Sequence, residues 1–526
     1  MLMFMRNRFW DYDPLRQRPI LTLSLLLLVF LAAFYLRVNK ITQSPPGFYV
    51  DETSIGYNAY SIWKTGRDEH GIAWPLFFRA FGDYKNPVFI YSLVPLIAGR
   101  GLSVETIRLG AALWGSLGII TLAWLAFSLS RNRLFTILSA LVLTLTPWHL
   151  HYSRMAFEAI SLPTLFILSL ASFYQWTETK KIGYGILFSL SLGLSFYSYT
   201  TARFLVPFTL GLLIIFFRNH WLRSKWQAFI IIFLILLMVF PIISWSKSYP
   251  GSLTARFNQI SLWADHPSTK TLIDRFWRTF WGHWHPEFLF ISGDTTLRHS
   301  SKVSSELLSS WGIFLLLGFY VWGRYLRKQI IWQVIFFLVI TFPLAASLTQ
   351  TSPIATRTLH AVPLFALLIA LGIWWSWRAL KERLIWQRVW VAIWVLAIFL
   401  EFNHYYQHLL NVYPKIAWLP RHGFDGSLPS ALTWGFKQSQ KENLPLYLSD
   451  KIEQVYIQGL FFTKTDPYLW QTQKIAPFQV VSFTKNNQLA GLMVLTEAEC
   501  HLATKVAMLK TFGMTKNSFD YCIVKL

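Results

Sequence analysis

Between Ser44 and Pro87 the chain places adjacent carboxylates, Asp51 and Glu52, and a second polar cluster, Asp83-Tyr84-Lys85, in one polar stretch. A carboxylate held within hydrogen-bond reach of a hydroxyl can take its proton, so this pattern suits general-base chemistry. Asp51 is the candidate base. Glu52 either orients it or is structural, and Tyr57, Asp83 and Tyr84 are candidates for lining the same pocket. The alternative for the acidic pair is a helix start: VDETSIGY puts both acids in a first turn, where the helix dipole favours negative charge. Four lone arginines, Arg154, Arg203, Arg298 and Arg357, stand beside hydroxyl and aromatic side chains. With Lys85 they suit an anionic phosphate. Their alternatives are snorkelling to headgroups, or a local pair such as Arg154 with Glu158 four residues on. Glu158 and Asp294, the latter in SGDTTLRHS with Arg298, complete the pocket candidates.

Two further patterns are weaker. His149-x-His151 and His283-x-His285 have a spacing that can ligate a divalent metal, but the spacing alone does not indicate one. Asp11-Tyr12-Asp13 looks like a nucleotide-sugar motif, yet it adjoins a membrane span on the side away from the other candidates, and we read it as accidental.

The elements that must position these residues are apolar. The 526 residues are 54% hydrophobic with a mean hydropathy of +0.39, and the apolar residues fall in long uncharged runs. This is the composition of a multi-spanning membrane protein. The net charge of +23 does not point to nucleic acid, because Lys and Arg cluster between the runs, as in cytoplasmic loops. Spans are expected at 20–36, 107–129, 134–150, 159–177, 182–200, 204–217, 226–245, 307–323, 329–348, 358–377 and 389–402. The first is read as a retained span, not a cleaved signal peptide.

Parity decides the short run 86–99. If it lies along the interface, 14 basic residues of the remaining loops face the cytoplasm, against three (Arg154, Arg203 and Arg357) in the short outer loops. If it crosses, every one of those loops inverts. The positive-inside rule therefore gives eleven spans, N-terminus inside and C-terminus outside, with 86–99 and Ile55–Trp63 as juxtamembrane helices of a first outer loop, 37–106. From residue 403 hydropathy falls, and LPLYLSD, AGLMVLTE and FDYCIVKL alternate as strands do. The expected fold is an α-helical polytopic membrane domain, 1–402, followed by a small extracytoplasmic α/β domain, 403–526. Cys500 and Cys522 then either pair or remain free thiols.

The segments PPGFYVDETSIGYNAYSIWKTGRDEHG, FGDYKNP and PWHLHYSRMAFEA together resemble bacterial membrane glycosyltransferases of the GT-C class. More narrowly, they resemble the protein O-mannosyltransferase and aminoarabinose-transferase superfamily, over residues 20–400. The resemblance implies a catalytic role for Asp51 and a part for Lys85 in binding lipid phosphate. It implies a polyprenyl-phosphate sugar donor, inversion at the anomeric carbon, and a hydroxyl acceptor on a lipid, glycan or protein. It also implies a bacterial cytoplasmic membrane; no nucleic-acid partner is expected, no cofactor is certain, and a divalent metal stays open but is not indicated. The chain lacks MIR-type repeats, and Asp83–Pro87 departs from the aminoarabinose-transferase pattern, so sugar and acceptor stay open. The rival class, a transporter or lipid flippase, predicts mid-span charges and pseudo-symmetric halves, and neither is evident in the sequence.

Overall fold

The computed structural model describes residues 9–350, 353–419, 424–483, 489–503, 507–514 and 519–526. Every expected span meets an apolar helix. The first part of the chain forms α1 (Pro19–Val38), α2 (Val50–Thr65), α3 (Pro87–Arg100), α4 (Val104–Ser130), α5 (Arg133–Leu145), α6 (Pro147–Tyr152), α7 (Ser161–Thr179), α8 (Ile182–Ser195), α9 (Ala202–Phe216) and α10 (Lys225–Ser248). The polar segment that follows holds α11 (Ala255–Ile260) and α12 (Thr269–Trp284). Then come α13 (Gly312–Val321), α14 (Ile330–Ile340), the short α15 (Ala355–Thr358), α16 (Val362–Ala379) and α17 (Leu384–Asn411). Among the described residues, seven helical stretches are long and apolar enough to cross a bilayer. The protein is an integral membrane protein. Helices α7 and α16 form its core, whereas α1, α10 and α17 leave Leu23, Leu27, Phe233, Leu237 and Leu396 exposed, as lipid-facing helices do.

Hydrogen bonds define two polar layers. At one, Asp13 accepts the Arg133 N–H at 2.9 Å, and Asn132 donates to the carbonyls of Trp10 and Tyr12. Asp11-Tyr12-Asp13 thus staples the N-terminal segment to the α4–α5 turn. At the other end of α4, Arg108 binds Glu52. Asn86, at the start of α3, is tied to Glu158 in that same second layer. A helix of 14 residues is about 21 Å long. Since the chain enters and leaves α3 within one polar layer, α3 lies along that layer and does not cross.

The tail folds around a five-stranded sheet. Its strands are β3 (Leu446–Ser449), β4 (Gln479–Val481), β5 (Leu492–Thr496), β6 (Ala507–Phe512) and β7 (Tyr521–Lys525), in the order β4-β3-β5-β7-β6. The pairs β3–β4 and β3–β5 are parallel; β5–β7 and β6–β7 are antiparallel. A separate hairpin, β1 (Phe78–Ala80) and β2 (Asp83–Lys85), lies in the first loop. Cys500 and Cys522 form a disulfide, with their Cα atoms 6.1 Å apart. The last span's helix runs to Asn411, so the expected boundary at 402 falls inside it.

The tail domain docks on the first loop. Gln458, on the helix Val455–Phe462, accepts the Thr53 hydroxyl at 3.0 Å, and the Gln471 amide donates to the Asp68 carbonyl at 2.8 Å. The Phe48 N–H donates to the Phe424 carbonyl. Gly47 is needed for that approach: its φ is +58°, and a Cβ there would lie 2.1 Å from the Phe424 oxygen.

Candidate active site

The first loop is shaped by two buried guanidinium groups. Arg154 donates to the carbonyls of Leu36, Arg37, Asn39 and Ser44, all at 2.8–3.1 Å. Arg108 donates to the carbonyls of Ile41, Pro45 and Gly47, and makes a two-pronged contact with Glu52, both prongs at 2.9 Å. The chain between α1 and α2 has few internal hydrogen bonds, and these arginines satisfy its carbonyls. Glu52 also accepts the N–H groups of Tyr49 and Ala156.

Glu52 is fully buried and fully bonded, so of its two readings the structural one fits. Two expectations are corrected. Arg154 spends its donors on backbone carbonyls, so none is left to reach a phosphate, and it does not pair with Glu158. Tyr57 points the other way: it is buried and donates to the Thr465 carbonyl of the tail domain.

Asp51 stands apart. It lies in the first turn of α2, and its Oδ1 meets the Lys85 ammonium at 2.5 Å, with side-chain exposures of 35% for Asp51 and 14% for Lys85. The helix-start reading of the acidic pair is therefore also correct in position. Lys85 reaches Asp51 because β1 and β2 pair antiparallel and return the chain beside the start of α2. Burial works to lower the Lys85 pKa, but Asp51, then Glu158 and Asp83, outweigh it and hold the ammonium above its ordinary value. Burial raises the Asp83 carboxyl, against the Tyr84 N–H, Lys85, Arg256 and Arg203, which lower it.

The next residues along bind the layer together. Glu158 accepts the Asn86 N–H at 2.6 Å and its amide at 2.7 Å, and the Asn86 oxygen accepts Arg203 at 3.4 Å. Arg203 also donates to the Leu253 carbonyl at 2.6 Å and sits over the Phe77 ring. Arg256 is exposed on α11, within electrostatic reach of Asp83, Tyr49 and Arg357. Arg357 donates to the Thr349 hydroxyl and lies within electrostatic reach of Tyr199. The Arg298 guanidinium lies 4.5 Å above the Tyr49 ring. Tyr84 packs edge-on against Trp245. Lys85, Arg203, Arg256, Arg298 and Arg357 are thus gathered in the layer that holds Asp51.

Several of these were not singled out from sequence. Asn86 was part of FGDYKNP without a role of its own, and Arg108 and Tyr199 gave no motif. Arg256 did: Thr-Ala-Arg-Phe occurs at 201–204 and again at 254–257, and the first copy's Arg203 bonds the residue preceding the second. Glu69 is a further buried carboxyl of the first loop. Its Oε1 accepts the Asn58 amide at 3.1 Å, and its other oxygen is buried without a hydrogen-bond partner among the described residues. Burial pushes it up to about 8, with the Asn58 bond pulling the other way. The four histidines do not converge. His149 meets Arg37, His151 meets the Arg298 carbonyl, His283 sits between Thr279 and Ile354, and His285 faces the Glu287 N–H.

A cleft of about 600 Å³ opens between the first loop and the tail domain, bounded by Tyr49, Val50, Gln458, Asp425, Glu453 and Tyr521. Tyr49 stands between this cleft and the cationic layer. Burial raises its phenol first, followed by Asp51, while Arg298 lowers it.

Comparison with known proteins fits this architecture. Residues 87–245 match the family model described as dolichyl-phosphate-mannose-protein mannosyltransferase. No curated protein matches the chain. The fold is similar to that of ArnT from Cupriavidus metallidurans in the apo state, with a TM-score of 0.58 at 14% identity, covering 95% of this chain and 97% of that one. A second ArnT structure, bound to undecaprenyl phosphate, gives a TM-score of 0.55 at 14% identity, covering 96% and 97%. The archaeal oligosaccharyltransferase AglB from Archaeoglobus fulgidus, in complex with an inhibitory peptide and a dolichol-phosphate, gives 0.52 at 13% identity, covering 86% of this chain and 64% of that one. The fold is that of the GT-C glycosyltransferases. The family match over residues 87–245 and the fold similarity over nearly the whole chain agree with the resemblance drawn from the first loop.

Proposed function

We propose that the protein moves a sugar from a polyprenyl-phosphate donor to an acceptor hydroxyl, with inversion, at the outer face of a bacterial cytoplasmic membrane. The observation that carries this reading is the Asp51 carboxylate, half-exposed and 2.5 Å from the Lys85 ammonium, in a layer that also gathers Arg203, Arg256, Arg298 and Arg357. One carboxylate beside a cluster of cations suits a reaction that needs a base for a neutral nucleophile and a cradle for an anionic leaving group.

In the reaction, Asp51 takes the proton of the acceptor hydroxyl. The acceptor oxygen forms its bond to the anomeric carbon as the bond from that carbon to the phosphate oxygen breaks, through an oxocarbenium-like state. The electron pair leaves with polyprenyl phosphate, whose charge Lys85 and the arginines receive. A single displacement inverts the anomeric centre. The prenyl chain stays in lipid, and the cleft beside Tyr49 gives the acceptor, on a lipid, glycan or protein, a route from the tail-domain side. The disulfide in the tail supports an oxidising compartment for that side.

The test is transfer by the purified full chain in liposomes containing labelled polyprenyl-phosphate sugars. The expected result is release of polyprenyl phosphate that depends on an added hydroxyl acceptor. Movement of lipid or solute between leaflets with no bond broken would favour the transporter reading instead.

A further inference from the structure

Asp294 lies behind the cationic layer, not in its open face. It is buried, on the segment between α12 and α13. Its Oδ1 accepts the Thr296 N–H at 2.8 Å; its Oδ2 accepts the Ala355 N–H at 2.8 Å and meets His299 Nδ1 at 3.0 Å. Its own N–H donates to Glu306 at 3.0 Å, and its carbonyl accepts the Lys302 ammonium at 2.5 Å.

These bonds converge on two arginines. Arg357 is the third residue of α15, and each of the three residues before it is held from outside. The Ile354 N–H donates to His283 Nε2 at 3.1 Å, and the Ala355 N–H donates to Asp294. The Ala355 carbonyl accepts the Trp148 indole at 3.1 Å, and the Thr356 hydroxyl pairs with Tyr152 at 2.5 Å. Arg298 lies four residues after Asp294 on the same turn, whose backbone is held by His151 at the Arg298 carbonyl and Tyr413 at the Leu297 carbonyl. One carboxylate thus joins the turn that carries Arg298 to the helix start that carries Arg357. The two arginines are 59 residues apart in sequence.

We propose that Asp294 is a positioning residue that sets Arg298 and Arg357 together to receive the donor's phosphate. This rests on the reading that those arginines bind that phosphate. A carboxylate that only stabilised the fold would make the same bonds, so the two roles are separated by coupling. If Asp294 acts through the two arginines, its removal costs nothing further once both are gone.

The test is a mutant cycle on the full-length chain in detergent, with polyprenyl phosphate alone as the probe. Arg357→Ala and Asp294→Ala are each expected to weaken binding by about tenfold or more, the loss of a charge-assisted contact. With Arg298→Ala and Arg357→Ala combined, adding Asp294→Ala is expected to leave binding unchanged. Asp294→Asn has one acceptor oxygen where Asp294 uses two, so it should fall between parent and alanine, and it carries the cycle if Asp294→Ala does not fold. If the arginine variants weaken binding but Asp294→Ala weakens it further once both arginines are gone, or Asp294 variants bind as the parent does, the positioning role is overturned. If Arg298→Ala and Arg357→Ala both bind as the parent does, the phosphate reading itself has failed, and the proposal with it.

Discussion

The Glu52 carboxylate is enclosed by Arg108 and two backbone N–H groups, whereas that of Asp51, one residue earlier on the same helix, meets Lys85 where solvent still reaches it. Successive helix positions point about 100° apart, so adjacent acids face different surroundings. One faces α4 and becomes part of the scaffold; the other faces the hairpin and the cationic layer. Both have a cation within 3 Å, so pairing alone does not distinguish a scaffold acid from a reactive one. Access does. A carboxylate whose lone pairs are all taken, as in Glu52, has none to offer an acceptor hydroxyl.

The difference can be broken in stages. The largest effect on stability is expected from Glu52→Ala, which leaves Arg108 buried and unpaired and should cost about 3–5 kcal/mol in denaturant unfolding. Asp51→Ala removes a partly exposed carboxylate and leaves Lys85 with Glu158 and Asp83 nearby, so it should cost less, about 1–3 kcal/mol. Equal losses would erase the distinction between the two faces. Next, Lys85→Ala should weaken binding of polyprenyl phosphate by about 1.5–3 kcal/mol with little change in unfolding. Unchanged affinity would leave Lys85 as a partner of Asp51 alone.

The last effect is a dependence on pH, read as a slope. Glu69 is raised to about 8, so the folded state holds its proton more tightly than the unfolded chain does. The resulting stability is complete below the ordinary carboxyl range and is lost as pH rises towards 8, by at most about 1.4 kcal/mol per pH unit. Glu69→Gln should flatten that part of the stability profile. An unchanged slope would assign it to other groups.

Much of the scaffold was legible because membrane burial demands long apolar runs, and parity placed α3 in one layer from loop charge alone. In the tail, β3, β5 and β7 alternate or run apolar and were found, while β4 and β6 are edge strands whose side chains are largely exposed, so no pattern marked them. Asp51 and Lys85 were legible as a polar cluster on a hydrophobic chain. Arg154 misled because a lone cation among hydroxyl residues looks the same in sequence whether it binds a ligand or backbone carbonyls. Arg108 was hidden in the first turn of a run that is otherwise apolar. The sequence did carry Arg256, in the repeated Thr-Ala-Arg-Phe, but a four-residue repeat has physical meaning only once its two copies touch.

Turnover of Asp51→Asn per folded molecule tests the central claim most directly. The substitution keeps the size of the side chain and removes its basicity. With a labelled polyprenyl-phosphate sugar that the parent uses, transfer should fall by about 10²–10⁴-fold, while binding of polyprenyl phosphate and the unfolding midpoint stay near parental. Transfer at the parental rate by the folded Asp51→Asn protein would contradict the account and move the base to another carboxylate of the layer, Asp83 or Glu158.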